Sequence, residues 1–200
     1  MPRPPLAALL LGLVSAAHGN TCNQLAEGQY ARCSANPLHR SGQFHSEENV
    51  YEISIGDPDV QYDAVSQQWH AWWSTGLAPS YTANQTMGIK HAVSADGVKW
   101  DATLSPVMRT AAAPTGWDHS KAETPTVVQL PAAMRTPERQ WLMLYSGGND
   151  LAPRPAGVTY TWYQIGAAFS ADGENFTKVS AAESPYAGKV TPYGTGSIEG

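Results

Sequence analysis

Two stretches of the chain are alike: QWHAWWSTG at residues 68–76 and QWLMLYSGG at residues 140–148. Other matches follow in the same order. IKHAVSADGVKW aligns with IGAAFSADGENF, GDPDVQY aligns with ETPTVVQ, and KAETP aligns with the terminal GSIEG. Because the ordered matches keep a nearly constant spacing of about 70 residues, they indicate an internal repeat.

Each repeat has the pattern of several short strands. DPDVQYD and TPTVVQL are runs that a proline opens, which fits the first residues of a strand. QWHAWWS, QWLMLYS, IKHAVS and IGAAFS are apolar or aromatic segments of strand length. An Asp-Gly pair follows each of the last two, at Asp96-Gly97 and Asp172-Gly173, and predicts a hairpin with a type I′ turn.

This pattern predicts an all-β fold built from β-propeller blades, each with roughly four antiparallel strands. Two repeats and the opening of a third cannot close a propeller, which needs at least about four blades. We therefore expect the 200 residues to be the N-terminal part of a larger protein, truncated after two blades and the start of a third. The alternative is a short β-sandwich that ends at Gly200.

Composition excludes several functional classes. The formal net charge is −5 and the sequence has no basic cluster, so we expect no nucleic-acid partner and no polybasic membrane patch. Only 14% of residues are charged, whereas Trp and Tyr number seven and nine. This balance suits a secreted, turn-rich β protein better than a helical bundle.

The first residues have the pattern of a secretory signal. Arg3 precedes an apolar run at residues 6–14, which is too short to span a bilayer, and small residues then permit cleavage after Ala17 or Gly19. An N-terminal anchor is the alternative. We predict a signal peptide at 1–19, an N-terminal segment at 20–45 and a partial propeller domain at 46–200. After export, Cys22 and Cys33 would form a disulfide in an oxidising compartment, either extracellular or periplasmic.

Carboxylates recur where the first strand of each repeat begins. Asp57, Glu123 and Glu199 lie at these entries, which converge on the axis of a propeller. Two carboxylates across a funnel can divide the work of glycoside cleavage, because one activates water while the other, kept protonated, protonates the leaving oxygen. Inversion requires about 6.5 to 9.5 Å between them.

The motifs IGDPDV, QWHAWWSTG, SADGVKW and SIEG resemble the five-bladed glycoside hydrolases of the arabinanase, β-xylosidase, levansucrase and invertase superfamily, nearest to glycoside hydrolase family 43. The resemblance covers about residues 46–200, the first half of such a domain. It implies that Asp57 is the general base and Glu199 the general acid. It also implies a second-blade Asp that tunes the pKa of the acid.

The chain departs from the family at that tuning position, where it has Thr124. Three readings are open. Glu123 takes the role with its longer side chain, Asp118 reaches in from the preceding loop, or the branch has altered or no chemistry. A nearby carboxylate matters because its charge raises the pKa of the acid and keeps it protonated.

Aromatic and polar residues near these entries are candidates for binding sugar. Trp72 and Trp73 point to opposite faces of one strand, so only one of them, taken as Trp73, can line a site. Trp69 and Trp141 are expected to be equivalent core residues. Asp118 and His119 precede the second entry and are further candidates.

These observations predict a secreted glycoside hydrolase that cleaves a poly- or oligosaccharide by acid-base catalysis, without a cofactor or metal. Because its two carboxylates would lie on different blades, we expect it to invert the anomeric centre. A non-catalytic carbohydrate-binding propeller that lost its tuning acid is one alternative. A glycoside phosphorylase is another, but Arg109, Arg135 and Arg154 do not fall at the strand entries where phosphate would need a cation.

Overall fold

The computed structural model of the chain describes residues 39–46, 49–103, 106–113, 115–151, 163–184 and 189–190. The chain divides into two units, Met1–Pro37 and Leu38–Gly200, and every described residue lies in the second unit. The predicted signal peptide and the Cys22–Cys33 disulfide lie outside the described residues, as does Glu199. Among the described residues, no helix has the length and apolar character needed to cross a membrane.

The described chain is almost entirely β structure, with a single 3-10 turn at Ala132–Met134. Its ten strands are β1 Gln43–His45, β2 Val50–Asp63, β3 Gln68–Ala78, β4 Thr86–Ser94, β5 Asp101–Ala102, β6 Met108–Arg109, β7 Lys121–Gln129, β8 Trp141–Gly148, β9 Gln164–Ser170 and β10 Thr177–Lys178.

The strands form two antiparallel sheets, one for each repeat. The first sheet has the order β1-β2-β3-β4-β5, with β6 also paired to β4, and the second has the order β10-β9-β8-β7. Apart from β6, consecutive strands within each sheet are neighbours, as in a blade of a propeller. The prediction of an all-β, propeller-like fold from antiparallel strands is confirmed.

The sheets pack on each other through an apolar core. The first sheet contributes Trp72, Ile89 and Met108, and all three are at most 3% exposed. The second sheet contributes Ala122, Val127, Trp141, Met143, Tyr145 and Ala168. Burial of these apolar side chains stabilises the pairing of the two sheets.

The Asp-Gly hairpin of each repeat is present, but its turn differs from the predicted type I′ turn. Val93 pairs with Asp101, which leaves a seven-residue loop, and only Gly97 of the Asp-Gly pair has a positive φ. Side chains close the loop: the backbone N–H groups of Asp96 and Gly97 donate to Ser94 Oγ, and those of Val98 and Lys99 donate to Asp96 Oδ1. Ser170 and Asp172 make the same set of bonds in the second sheet.

The expectation that Trp69 and Trp141 are both core residues is wrong for Trp69. The two residues do occupy equivalent positions, since Trp69 pairs with Ser94 and Trp141 with Ser170. Trp141 is 3% exposed because it packs on the first sheet, whereas Trp69 is 37% exposed and packs on the ring of Tyr62. Equivalent positions are buried here only where a neighbouring sheet covers them.

Candidate functional site

The entry strands of the two repeats, β2 and β7, contain the same irregularity. The register of β2 with β3 shifts between Gly56 and Asp59, and the register of β7 with β8 shifts between Glu123 and Thr126. In each bulge one residue has a left-handed backbone: Asp57 with φ 50° and Thr124 with φ 50°. A non-glycine residue in this region is strained, and such strain concentrates at functional sites.

The structure therefore confirms, from the backbone, that Thr124 occupies the position equivalent to Asp57. Glu123, one residue earlier, is equivalent to Gly56, because Gly56 pairs with Ser74 and Glu123 with Ser146. The side chain of Glu123 consequently starts from a different point of the bulge than that of Asp57.

A buried serine joins the two bulges. Ser74 is 3% exposed, and its Oγ donates to Asp57 Oδ2 at 3.3 Å and accepts from the backbone N–H of Thr124 at 2.7 Å. A hydroxyl has one hydrogen to donate. Because the Thr124 amide donates to the oxygen, the hydroxyl hydrogen is free to point at the Asp57 carboxylate, and Asp57 itself remains exposed to solvent.

Two further aspartates of β2 hold the second sheet in place. Asp59 Oδ2 accepts from the Val127 N–H at 2.5 Å, and Asp63 Oδ1 accepts from Gln129 Nε2 at 2.8 Å. Burial disfavours the charge on Asp63, but hydrogen bonds from Val65, Ser66 and Gln129 outweigh it and lower its pKa to about 2. Asp59 and Asp63 are thus engaged in structure, which leaves Asp57 as the exposed carboxylate of β2.

Beside Glu123 lies a cation that the sequence analysis did not single out. Lys121 Nζ donates to Tyr163 Oη at 3.1 Å and sits over the Tyr163 ring, 5.1 Å from its centroid. Glu123 also hydrogen-bonds Tyr163. Lys121 pairs with Gly148 of the intervening strand β8.

The charges of this group act on each other. Burial opposes the charge on Lys121, but the Tyr163 hydroxyl and the carboxylates of Asp150 and Glu123 outweigh it and raise the pKa of Lys121. Burial and the hydrogen bond to Glu123 raise the pKa of the Tyr163 phenol. At neutral pH the group therefore presents an ammonium ion and a neutral hydroxyl next to a carboxylate.

The loop before β7 places Asp118 and His119 differently. Asp118 is 2% exposed, accepts from Tyr145 Oη at 2.9 Å and pairs with Lys178. Burial and the negative charge of Asp118 raise the pKa of Tyr145. His119 is half-buried, and its Nδ1 donates to the Ala111 carbonyl at 2.8 Å. The structure does not bring Asp118 to Asp57.

Trp73 lies on the opposite face of β3 from Ser74, as alternation along a strand requires. It is 8% exposed and packs with Ala71, Ala92 and Trp100. Its Nε1 donates to Glu52 Oε1 at 3.1 Å. The structure therefore separates Trp73 from Asp57 and places it beside a buried carboxylate.

Glu52 is the centre of a buried polar cluster on that opposite face. It is fully buried and accepts from Thr75 Oγ1 at 2.7 Å and from His39 Nε2 at 3.0 Å, with Lys90 Nζ at 3.4 Å. Burial opposes its ionisation, but these hydrogen bonds and the charge of Lys90 outweigh it and lower its pKa to about 2. All its oxygens are occupied, which indicates a structural role. The described residues contain no group of three or more His, Cys, Asp or Glu side chains arranged to hold a metal ion.

Three residues of the site were missed from the sequence. Lys121 could have been found, because it precedes Glu123 by the two-residue period of a strand and so shares its face. Ser74 belongs to a repeated WSTG and YSGG pattern, but its bond to another sheet has no signal in the sequence. Tyr163 reaches Lys121 from 42 residues away along the chain.

Solved structures share this fold at low sequence identity. A glycosyl hydrolase from Bacteroides ovatus matches with a TM-score of 0.50 and 13% identity, over 74% of this chain and 39% of that one. A GH130 protein, from work describing mannoside phosphorylases and glycoside hydrolases that target β-1,2 mannosidic linkages in Candida mannan, matches with a TM-score of 0.51 and 15% identity, over 79% and 43%. No protein-family model and no curated protein sequence matches the chain.

These structural matches establish a common fold. The two sheets described above therefore have a propeller-like fold. The chain spans about two fifths of the length of the solved structures it matches.

Proposed function

We propose that this protein is an exported carbohydrate-active enzyme that hydrolyses O-glycosidic bonds of a poly- or oligosaccharide. Asp57 carries the proposal: it is an exposed carboxylate in a strained bulge, and a buried serine fixes its orientation. The propeller fold that it shares with glycoside hydrolases supports the same reading. A relation to family 43, export through residues 1–19 and a Cys22–Cys33 disulfide belong to this proposal.

In the proposed reaction Asp57 acts as the general base. It removes a proton from water while the water oxygen attacks the anomeric carbon, and Glu199 gives its proton to the departing glycosidic oxygen. This single displacement inverts the anomeric centre. Glu123 supplies the nearby negative charge that keeps the acid protonated, in place of the carboxylate that Thr124 lacks.

The test is release of reducing sugar from a panel of arabinan, xylan, levan and mannan. Asp57→Asn should lower turnover by at least about a hundredfold, because an amide cannot accept the proton. Asp59→Asn is the matched control, since it changes a carboxylate two residues away whose role is to accept the Val127 amide. Full activity of Asp57→Asn on a substrate that the unmodified protein cleaves would refute the role of Asp57.

A second candidate is a glycoside phosphorylase, and Lys121 is the observation that favours it. This cation is the first residue of β7, the entry strand of the second repeat, and lies two residues before Glu123. Phosphorolysis predicts turnover that depends on inorganic phosphate and yields a sugar phosphate detectable by ³¹P NMR. Phosphate-independent release of free sugar would support the hydrolase instead.

A third candidate, a carbohydrate-binding propeller without catalysis, is favoured by Thr124. The second bulge has the backbone of the first, but at the position equivalent to Asp57 it has Thr124, which is not a carboxylate. Glycan binding without turnover, in a protein whose Asp57→Asn variant binds equally well, would support this candidate.

A further inference from the structure

Three aromatic rings form a row on the first sheet. The row lies at the end of the sheet where β2 begins, on the N-terminal side of Asp57. Phe44 is 50% exposed and Tyr81 is 63% exposed, and both rings pack against Tyr51 between them. The centroid distances are 4.9 Å from Phe44 to Tyr51 and 4.7 Å from Tyr51 to Tyr81. We call Phe44, Tyr51 and Tyr81 the aromatic strip.

The aromatic strip is held rigidly. Phe44 and Tyr51 are cross-strand partners of β1 and β2. Tyr81 Oη donates to the Gly42 carbonyl at 3.0 Å, and Gly42 has φ +87°, a conformation that suits glycine. A preformed surface of this kind binds a ligand with little loss of side-chain entropy.

The aromatic strip lies on the same face of the sheet as Asp57. Opposite β2, the alternate residues Ser74, Gly76 and Ala78 of β3 share one face. Gly56, at the Asp57 bulge, pairs with Ser74, and Tyr51 pairs with Ala78. One surface therefore runs from the bulge to the strip.

A polar pair fills the interval between them. Ser54 pairs with Gly76 and donates to Gln85 Oε1 at 2.8 Å. A side chain at Gly76 would collide with both, since a Cβ there would lie 2.0 Å from Gln85 Oε1 and 2.3 Å from Ser54 Oγ. Gly76 thus makes room for the exposed amide of Gln85 and the partly exposed hydroxyl of Ser54 between the rings and the carboxylate.

This order of groups matches the chemistry of a sugar chain. Aromatic rings pack on the apolar faces of sugar rings, and amides and hydroxyls bond their hydroxyl groups. Tyr51 and the Asp57 bulge lie opposite Ala78 and Ser74, which are four residues apart on β3. At 3.3 Å per residue this interval is about 13 Å, which a few consecutive sugar units would span. The side chains of the strip and of the polar pair are uncharged.

We infer that the aromatic strip binds the distal part of a neutral glycan chain whose reacting bond lies at Asp57. The inference rests on the proposed function and deepens it: the substrate is a polysaccharide or a long oligosaccharide, and a disaccharide does not reach the strip. Affinity should therefore rise with chain length until the chain covers the interval.

The test measures binding and does not need turnover. Affinity gel electrophoresis with soluble arabinan, xylan, levan and mannan identifies the polymer that retards the protein most, and calorimetry then uses di- to octasaccharides of that polymer. Phe44→Ala and Tyr81→Ala should each weaken binding of the octasaccharide by about tenfold and leave disaccharide binding unchanged. Tyr81→Phe should bind nearly as the unmodified protein, because the ring remains.

Tyr62→Ala is the matched control. Tyr62 is 48% exposed and lies on β2, as Tyr51 does. Its ring packs on Trp69, away from the aromatic strip. It should not alter binding. Unchanged octasaccharide affinity in both strip variants would overturn the inference, as would equal affinity for short and long chains or no retardation by any polymer.

Failure of the proposed function gives a different result. If Asp57→Asn retained turnover while the strip variants lost octasaccharide binding, the role of Asp57 would fail and the glycan site would stand. If the strip variants lost thermal stability while glycan binding was unaffected, the rings would cover another part of the protein, and the inference would fail.

Discussion

The entry strands of the two sheets have the same backbone conformation at their bulges, but they carry different side chains there. Asp57 and Thr124 share a bulge, a left-handed φ of 50° and a place next to Ser74, but only Asp57 is a carboxylate. The scaffold thus fixes where a functional side chain stands, and the residue at that point decides whether it can act. The same lesson holds for pairs of equivalent core residues, whose burial depends on the neighbouring sheet.

The largest expected difference between the sheets concerns two equivalent tryptophans. Trp141→Ala should cost about 3–5 kcal/mol of unfolding free energy, because the ring is 3% exposed and packs between the sheets. Trp69→Ala should cost about 1 kcal/mol or less, because that ring is 37% exposed. Urea unfolding followed by circular dichroism measures both. Equal losses would mean that Trp69 is covered in solution.

A second difference concerns the loss of stability in acid, which we attribute to two buried histidines of the first sheet. His70 Nδ1 and His91 Nε2 lie 3.0 Å apart in the core, where the second sheet has Leu142 and Ala167. Burial and the proximity of His70 lower the pKa of His91 to about 3, and burial lowers that of His70 despite the nearby acids Asp63, Glu174 and Asp172.

The sign follows from proton uptake. Between pH 6.5 and the lowered pKa values, the unfolded chain binds protons that the folded chain excludes, so stability falls as pH falls below 6.5. One such histidine accounts for about 2 kcal/mol between pH 6.5 and 5. Loss from Glu52, whose pKa is about 2, begins only below 4.5. Thermal melts across this range measure the loss.

His70→Leu with His91→Ala copies the second sheet and should flatten the profile between pH 6.5 and 5. If that variant does not fold, an NMR titration of the His91 ring in the unmodified protein gives the same answer. A ring that protonates near pH 6.5 in the folded state would contradict the account.

A third prediction concerns the bridge between the two bulges. Ser74→Ala removes the donor to Asp57 and should lower kcat by about tenfold with little change in KM, because the carboxylate loses its fixed orientation. Ser74→Thr keeps a hydroxyl and should restore most of kcat. An equal loss in both variants would indicate disturbed packing and no positioning role.

The smallest expected difference is between the two Asp-Gly loops. Asp172 accepts from Ser170, from the amides of Glu174 and Asn175 and from the Asn175 side chain, whereas Asp96 lacks an equivalent of the last bond. Asp172→Ala should cost about 1 kcal/mol, and Asp96→Ala should cost less. Melting temperatures of the two variants, measured in parallel, decide the order.

The repeat made the fold predictable from the sequence. The ordered matches predict two sheets of antiparallel strands, and the alignment of GDPDVQY with ETPTVVQ predicts that Thr124 is equivalent to Asp57. The loop shape was missed because Ser94 and Asp96 close a seven-residue loop with side-chain bonds that a turn propensity does not describe.

The site was harder to predict because its contacts cross between sheets or strands distant in sequence. Ser74 bonds Thr124 of the other sheet, and Lys121 bonds Tyr163 across the intervening strand β8. Trp73 and Asp118 have the residue types of a sugar site, but both are buried. Trp73 donates to Glu52, and Asp118 accepts from Tyr145, so each has a partner inside the protein.

The most direct test of the central claim is a crystal structure of the Asp57→Asn variant bound to an oligosaccharide that the unmodified protein cleaves. The account predicts a sugar unit at residue 57, with the chain extending past Ser54 and Gln85 towards Tyr81. A glycan bound on the face of Trp73, with residue 57 left in solvent, would contradict it.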